Sequence, residues 1–229
     1  MGKFVGVGLG VNDPELLTLK AVKALRAADV LCLPQATKED CRAYQIALAA
    51  VPEISEKECL CLDFKMIRDP EKRAQMHAGL YEEVKALYDE DKTLAFLTIG
   101  DPGVYSTFCY LSEQALAEGL TVEVVEGVPS FCSVAAALGI PLCLGDEDLH
   151  VVTGREDMEA VLGYPGTKVI MKCGRKMEAV KERLLRLEEE TGAKVYAVSE
   201  CGSENEQRYF GAAELPEDAK YMTTIIVKE

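Results

Sequence analysis

Strands and helices alternate from one end of this sequence to the other, the pattern of an α/β protein. Length sets the number of units: 229 residues with 48% hydrophobic side chains can bury one large core or two modest ones, and two compact α/β lobes fit that size. The glycines supply a third observation. Three strand-to-helix loops carry them, in "GVGLGVNDP", "TIGDPG" and "EGVPS", and such loops line the carboxyl ends of strands, where open α/β sheets bind ligands.

Element by element, "FVGVGLG" reads as a strand entering a Gly-rich loop. "DPELLTLKAVKALRAAD" follows as a helix with Asp13 as N-cap and Pro14 at its first position. Leu16, Leu17, Lys20, Ala21, Ala24 and Ala28 trace its mostly apolar stripe. "VLCLP" is a short strand stopped by Pro34, and Cys59 and Cys61 alternate as they would on one face of a strand. An amphipathic helix starts near Ala74 in "AQMHAGLYEEVKALYDED", and "TLAFLTIGDP" is a buried strand ending in a turn. The next helix, about Val104 to Glu118, stops at Gly119, which places the domain boundary there: residues 1–118 and 119–229. Beyond it come the strand "TVEVVEG", a helix around Phe131 to Leu138, and strands at "LHVVT", "TKVIMK", "AKVYAVS" and "TTIIVKE". No internal repeat or low-complexity linker interrupts them.

Composition excludes several functions. No run of eighteen apolar residues occurs, and Met-Gly-Lys leads straight into a strand without a signal-peptide core, so a soluble, unexported, cytoplasmic protein without a membrane partner is expected. Nine cysteines without a CxxC pair read as reduced thiols, with no metal site. Thirty-nine Asp and Glu against twenty-five Lys and Arg leave a net charge of −14, which argues against nucleic acid. The acidic runs "EEET" (188–191) and "DED" (146–148) are read as solvated faces or helix ends, and His77 and His150, outside every motif loop, as structural.

The glycines of the first loop fail as a dinucleotide fingerprint. Gly6, Gly8 and Gly10 give G-x-G-x-G, whereas G-x-G-x-x-G requires glycine where Val11 or Asp13 stands; Gln35, not an acid, follows the second strand. A Walker loop is excluded too, since no G-K-[ST] follows. A tight turn and the close approach of a different ligand both remain open. In the second loop Gly100 turns the chain and Asp101 hangs at a strand's carboxyl end, placed either to accept hydrogen bonds from ribose hydroxyls or an ammonium group or to cap the next helix. The third repeats the device with Gly127, Pro129 and Ser130, the last at an N-cap position.

Together "GVGLGVNDPELLTLKA", "IGDPGVYSTFCYL" and "VEVVEGVPSFCSVAAALGIPL" resemble, in order and spacing, the tetrapyrrole methylases. These enzymes use S-adenosylmethionine to methylate corrin precursors in cobalamin biosynthesis. Tyr-Ser-Thr after the Gly-Asp-Pro turn, and Ser-Phe leading an Ala-rich helix that ends in Leu-Gly-Ile-Pro-Leu, most resemble the precorrin-2 C-20 methyltransferases. One departure is Asn12-Asp13-Pro14, where the family usually has Gly-Asp-Pro; Asn tolerates left-handed backbone better than most residues.

That resemblance implies two α/β domains, each a mixed sheet flanked by helices, with the active site in the cleft between them, and a homodimer. It implies S-adenosylmethionine as cofactor, S-adenosylhomocysteine as product and a tetrapyrrole as substrate. Carried over, Leu9, Gly100, Asp101, Val104, Tyr105, Ser130, Phe131, Met171, Thr223 and Thr224 would line the cofactor site, and Asp101 or Tyr105 would take the C-20 proton. No nucleophile is needed, because the ring carbon is one itself and the protein mainly aligns it. An eight-carboxylate macrocycle needs local cations in so acidic a chain, and Lys38, Arg42, Lys65 and Arg68, outside the periodic stretches, are the candidates, with "FKMIRDPEKR" as the substrate-side segment. Another ring methylase, one acting on uroporphyrinogen III, or a non-catalytic nucleotide-binding module are the alternatives.

Overall fold

A computed structural model describes residues 2–154, 157–217 and 222–229. The chain divides into two compact units, Met1–Pro129 and Ser130–Glu229.

The first unit runs β1 (Lys3–Gly8), α1 (Leu19–Ala27), β2 (Val30–Leu33), α2 (Arg42–Ala50), β3 (Glu58–Cys61), α3 (Pro70–Asp89), β4 (Thr93–Thr98), α4 (Phe108–Ala117) and β5 (Val122–Val125). Its strands order as β3-β2-β4-β1-β5, and every pairing is parallel. Parallel sheets are covered on both faces, which is why β1, β2 and β4 read as continuous apolar runs. Side chains alternate between two cores. On one face Val5, Val7, Leu31, Leu33, Ala95 and Leu97 pack with Ala21 and Leu25 of α1 and Tyr44 and Ala47 of α2. On the other, Phe4, Val30, Cys32, Leu94 and Phe96 meet Leu80, Tyr81 and Val84 of α3 and Phe108 and Leu111 of α4. Because α1 and α4 lie on opposite faces, the chain leaves neighbouring β1 and β4 in opposite directions, and the carboxyl ends of these two strands form a topological switch point.

The second unit comprises α5 (Ser130–Leu138), β6 (Leu149–Thr153), α6 (Met158–Leu162), β7 (Thr167–Met171), α7 (Met177–Thr191), β8 (Lys194–Ser199), β9 (Gln207–Phe210) and β10 (Thr223–Lys228). Its sheet is mixed, in the order β6-β7-β10-β8-β9, with only β6 and β7 parallel. Ile170, Ala197, Ile225 and Val227 pack under Met158, Leu162, Met177, Val180 and Leu184 of α6 and α7. The opposite face is left to α5, which lies on β10 and β8. Among the described residues no helix is long and apolar enough to cross a membrane.

Several expectations are corrected. The division falls after Pro129 rather than at Gly119, because β5 pairs with β1 and so belongs to the first sheet. The helix expected from Asp13 is split: Asp13 Oδ1 caps only a 3₁₀ turn at Pro14–Leu16, and Thr18 Oγ1, accepting from Ala21 N at 3.0 Å, starts α1. The third helix begins at Pro70, not Ala74, since Asp69 Oδ1 accepts from Glu71 N and Lys72 N, so "DPEKR" is its first turn. Arg42, expected outside any regular element, opens α2. "DED" is not merely solvated: Glu147 accepts from Leu144 N, Thr167 Oγ1 and Lys228 Nζ. Of the histidines, His77 is buried with its ring stacked 4.3 Å from that of Tyr110, and His150 Nε2 lies 3.0 Å from Pro165 O. Cys59 and Cys61 pack on the same core as Cys41.

Candidate active site

Each glycine of the first loop answers a different physical demand. Gly6 leaves room for the Phe108 ring, which a Cβ would meet at 2.6 Å. Gly10 holds φ +68°, in the left-handed region glycine occupies without cost. Gly8 is the most telling, for a Cβ there would stand 2.5 Å from Gly127 N and 2.8 Å from Gly100 O. A Cβ on Gly127 would in turn collide with Gly100 O and lie 2.7 Å from Gly8 Cα. The loops leaving β1, β4 and β5 thus meet backbone to backbone, through one glycine from each, at the carboxyl ends of three adjacent strands. Hydrogen bonds lock the junction: Gly100 N donates to Gly10 O at 2.7 Å, and Gly10 N to Gly100 O at 3.4 Å.

Asp101 closes the junction with its side chain. Oδ1 accepts from Gly103 N at 2.8 Å, shaping the second loop, and Oδ2 accepts from Gly127 N at 3.0 Å, clasping the third. It caps no helix. The following helix starts only at Phe108, after Thr107, and Ser106 Oγ accepts from Phe108 N at 3.1 Å while sharing a 2.8 Å hydrogen bond with Thr98 Oγ1. Between the clasp and that helix, Val104 is half-buried and Tyr105 sits at φ +50° with its side chain exposed. A bulky residue held left-handed stores strain, and strained backbone clusters at functional sites. Asn12, at φ +46°, holds the left-handed turn expected of it. Leu9 is fully buried among core residues of the first unit.

In the second unit the candidates gather at one end. Met171 and Thr224 are directly paired across β7 and β10, both buried. Thr223, one residue earlier, faces the other side of the sheet, where its hydroxyl lies 2.7 Å from Ser199 Oγ. Ser130 is the first residue of α5 rather than its N-cap, and Phe131 beside it is half-buried. The hydroxyls of Ser130 and Ser133 are buried yet have no hydrogen-bond partner among the described residues.

The expected substrate cations differ in how they are held. Lys38 Nζ donates to Ser55 O at 3.2 Å and lies 4.7 Å from the centre of the Tyr44 ring, and the neighbouring Tyr44 side chain raises the ammonium pKa. Lys65 pairs with Asp63 at 3.5 Å, and Arg68 is exposed on the segment between β3 and α3. The three glycine loops imply a shared crevice from the sequence, but the backbone contact of Gly8, Gly100 and Gly127 and the place of Ser133 were missed. The first had no local signal, since its members lie far apart in the chain; the second had one, the i, i+3 serines of "SFCS".

Comparison with known proteins places this geometry. Residues 3–216 match the model of the Tetrapyrrole (Corrin/Porphyrin) Methylases. A Probable cobalt-precorrin-2 C(20)-methyltransferase of Methanocaldococcus jannaschii is 37% identical over 185 residues, 79% of this chain and 78% of that protein. A Precorrin-2 C(20)-methyltransferase of a Sinorhizobium species is 32% identical over 197 residues, 80% of this chain and 78% of its own length. The fold matches a crystal structure of uroporphyrin-III C-methyl transferase from Thermus thermophilus complexed with S-adenyl homocysteine, with TM-score 0.73, 24% identity and coverage of 100% of this chain and 98% of that one.

Proposed function

The chain belongs to the tetrapyrrole methylases, and from that premise we propose that it transfers a methyl group from S-adenosylmethionine to the C-20 meso carbon of precorrin-2 or cobalt-precorrin-2 in cobalamin biosynthesis. The observation that carries this reading is the likeness, along about four fifths of the chain, to two C(20)-methyltransferases from different organisms. S-adenosylmethionine suits the residues present. Its ribose hydroxyls and carboxylate need polar partners, and the buried hydroxyl of Ser130 has none among the described residues. When bound, it supplies a methyl group activated on sulfonium.

The chain's own work is then to position and to accept a proton. Gly100, Asp101, Val104 and Tyr105, with the backbone at Leu9, are the proposed cofactor contacts of the first unit; Ser130, Phe131, Met171, Thr223 and Thr224 are those of the second. Within this set Thr224 and Met171 are better placed than Thr223, whose hydroxyl is engaged with Ser199. Asp101 takes part while keeping its clasp, because a carboxylate has about four acceptor positions and two are filled here. Asp101 or Tyr105 takes up the C-20 proton after transfer. Arg68, Lys65, Arg42 and Lys38 meet the carboxylates of the macrocycle, with Lys38 the least free to move. The protein works in the cytoplasm as a homodimer, which light scattering checks.

Calorimetric titration tests the cofactor assignment. S-adenosylhomocysteine is expected to bind and NAD is not; NAD binding with no response to S-adenosylhomocysteine would overturn the proposal.

A further inference from the structure

Two buried polar atoms at one end of the second unit have no partner within the described structure, and only one of them has been given a role. Ser130 Oγ and Ser133 Oγ are both buried and unpaired among the described residues. They stand three residues apart on α5, so they share a face of the helix, about one turn from each other. A serine inside a helix ordinarily turns its hydroxyl back to the carbonyl three or four residues earlier. Neither the Ser130 nor the Pro129 carbonyl receives Ser133 in this way.

The run of α5 fixes where these hydroxyls lie in the second unit. After the helix ends at Leu138, the carbonyls of Pro141 and Leu142 accept from Lys228 Nζ at 3.2 and 2.8 Å, at the last residue of β10. The helix packs on β10 and β8, and because the segment that follows it is tied to Lys228, its carboxyl end is directed toward that end of β10. Its amino end is therefore toward Thr223 and Thr224, where β10 begins beside Met171. Ser130 and Ser133 thus lie toward the same end of the unit as Met171 and Thr224. Exposed Cys132 stands between them in sequence and points elsewhere.

We propose that Ser133 is a second hydroxyl contact to S-adenosylmethionine, acting beside Ser130 from the next turn of α5; this rests on the cofactor reading above. A hydroxyl both donates and accepts, so it serves a ribose hydroxyl or a carboxylate oxygen equally. Nothing in the sequence motif requires the second serine. What selects it is the burial of a polar atom that the fold leaves without a partner, an arrangement that is costly unless something binds there.

The test compares the wild-type chain with Ser133→Ala and Cys132→Ala, using calorimetric titration with S-adenosylhomocysteine and thermal melting without ligand. Ser133→Ala is expected to weaken binding about tenfold, the upper range for one neutral hydrogen bond, while the ligand-free protein melts at the same temperature or higher because an unpaired polar atom has gone. Cys132→Ala should change neither. Unchanged affinity in Ser133→Ala, with wild type binding normally, would overturn the role of Ser133 alone. A drop in ligand-free melting temperature would do so too, by showing that the hydroxyl supports the fold. A wild-type chain that does not bind S-adenosylhomocysteine overturns the cofactor reading and this role with it.

Discussion

The glycine junction of the first unit and the amino end of α5 in the second treat their polar groups in opposite ways. At the junction, Asp101 gives each carboxylate oxygen a backbone N–H, and Gly10 and Gly100 exchange hydrogen bonds. At α5, two hydroxyls are buried with no partner among the described residues. The junction is therefore a platform whose shape is set by its own packing, and α5 carries polar groups that packing leaves over. A rigid, self-satisfied loop junction and a helix end with unspent hydrogen-bonding capacity are different kinds of binding surface, one set by shape and the other by polar contact. It follows that substitutions at the junction should register first in stability, and substitutions on α5 first in binding.

Gly127→Ala should give the largest loss of stability. The added methyl collides with backbone at Gly100 and Gly8, which cannot swing away as a side chain would. Overpacking of this kind costs about 3 kcal/mol or more, roughly 6–12 °C in melting temperature for a chain of this size. A melting curve that matches wild type would mean the three loops do not meet. Next comes Asp101→Asn. The amide keeps one acceptor oxygen but turns an NH₂ toward Gly103 N or Gly127 N, so about 1.5–3 kcal/mol should be lost as a charged hydrogen bond is replaced by two opposed donors. An Asp101 that merely capped a helix would tolerate Asn with little change; the clasp to Gly127 makes the larger loss the expected one. Turnover should fall as well, and turnover per folded molecule separates chemistry from support.

Asn12→Ala sharpens the account of the first loop with a smaller effect. Asn12 occupies the left-handed region, where alanine costs about 1–2 kcal/mol, a loss measured by chemical denaturation. Smallest at neutral pH is Glu147→Gln in the second unit, a polar group that is fully partnered. Hydrogen bonds from Thr167 and then Lys228 hold its carboxyl below the usual range. A depressed carboxyl contributes its stability in full above the unfolded value, about 4.3, and loses it as pH falls through the folded one. The melting gap between wild type and Glu147→Gln should therefore be open at pH 7 and close below about pH 4. A gap that persists in acid would mean the carboxylate charge is not what holds the 141–147 segment.

Strand positions were legible because parallel strands buried on both faces are continuous apolar runs; "FVGVG", "VLCL" and "TLAFLT" announce themselves. Helix starts were less so. Asp13 and Thr18 are both competent caps five residues apart, and the structure uses both, the first on a 3₁₀ turn and the second on α1, a choice that local sequence does not make. The short helix at "RAYQIALAA" was missed, lacking a side-chain cap at Cys41 to mark its start. The site was legible as three loops and not as one junction, since Gly8, Gly100 and Gly127 are brought together by sheet order, which periodicity does not encode. Asp101 was found for its place at a strand end, while its partner Gly127 lies 26 residues away. The i, i+3 serines of "SFCS" could be seen to share a helix face, but that both hydroxyls are left without a partner among the described residues shows only once the fold is built.

The carbon that receives the methyl group defines the proposed reaction. Incubation of the protein with ¹³C-methyl S-adenosylmethionine and either metal-free precorrin-2 or its cobalt complex, followed by mass and carbon NMR analysis of the ring, measures this directly. One added methyl at C-20, on one or both forms of the substrate, is the predicted result. Labelling at any other ring position, or S-adenosylhomocysteine binding without a methylated product, would contradict it.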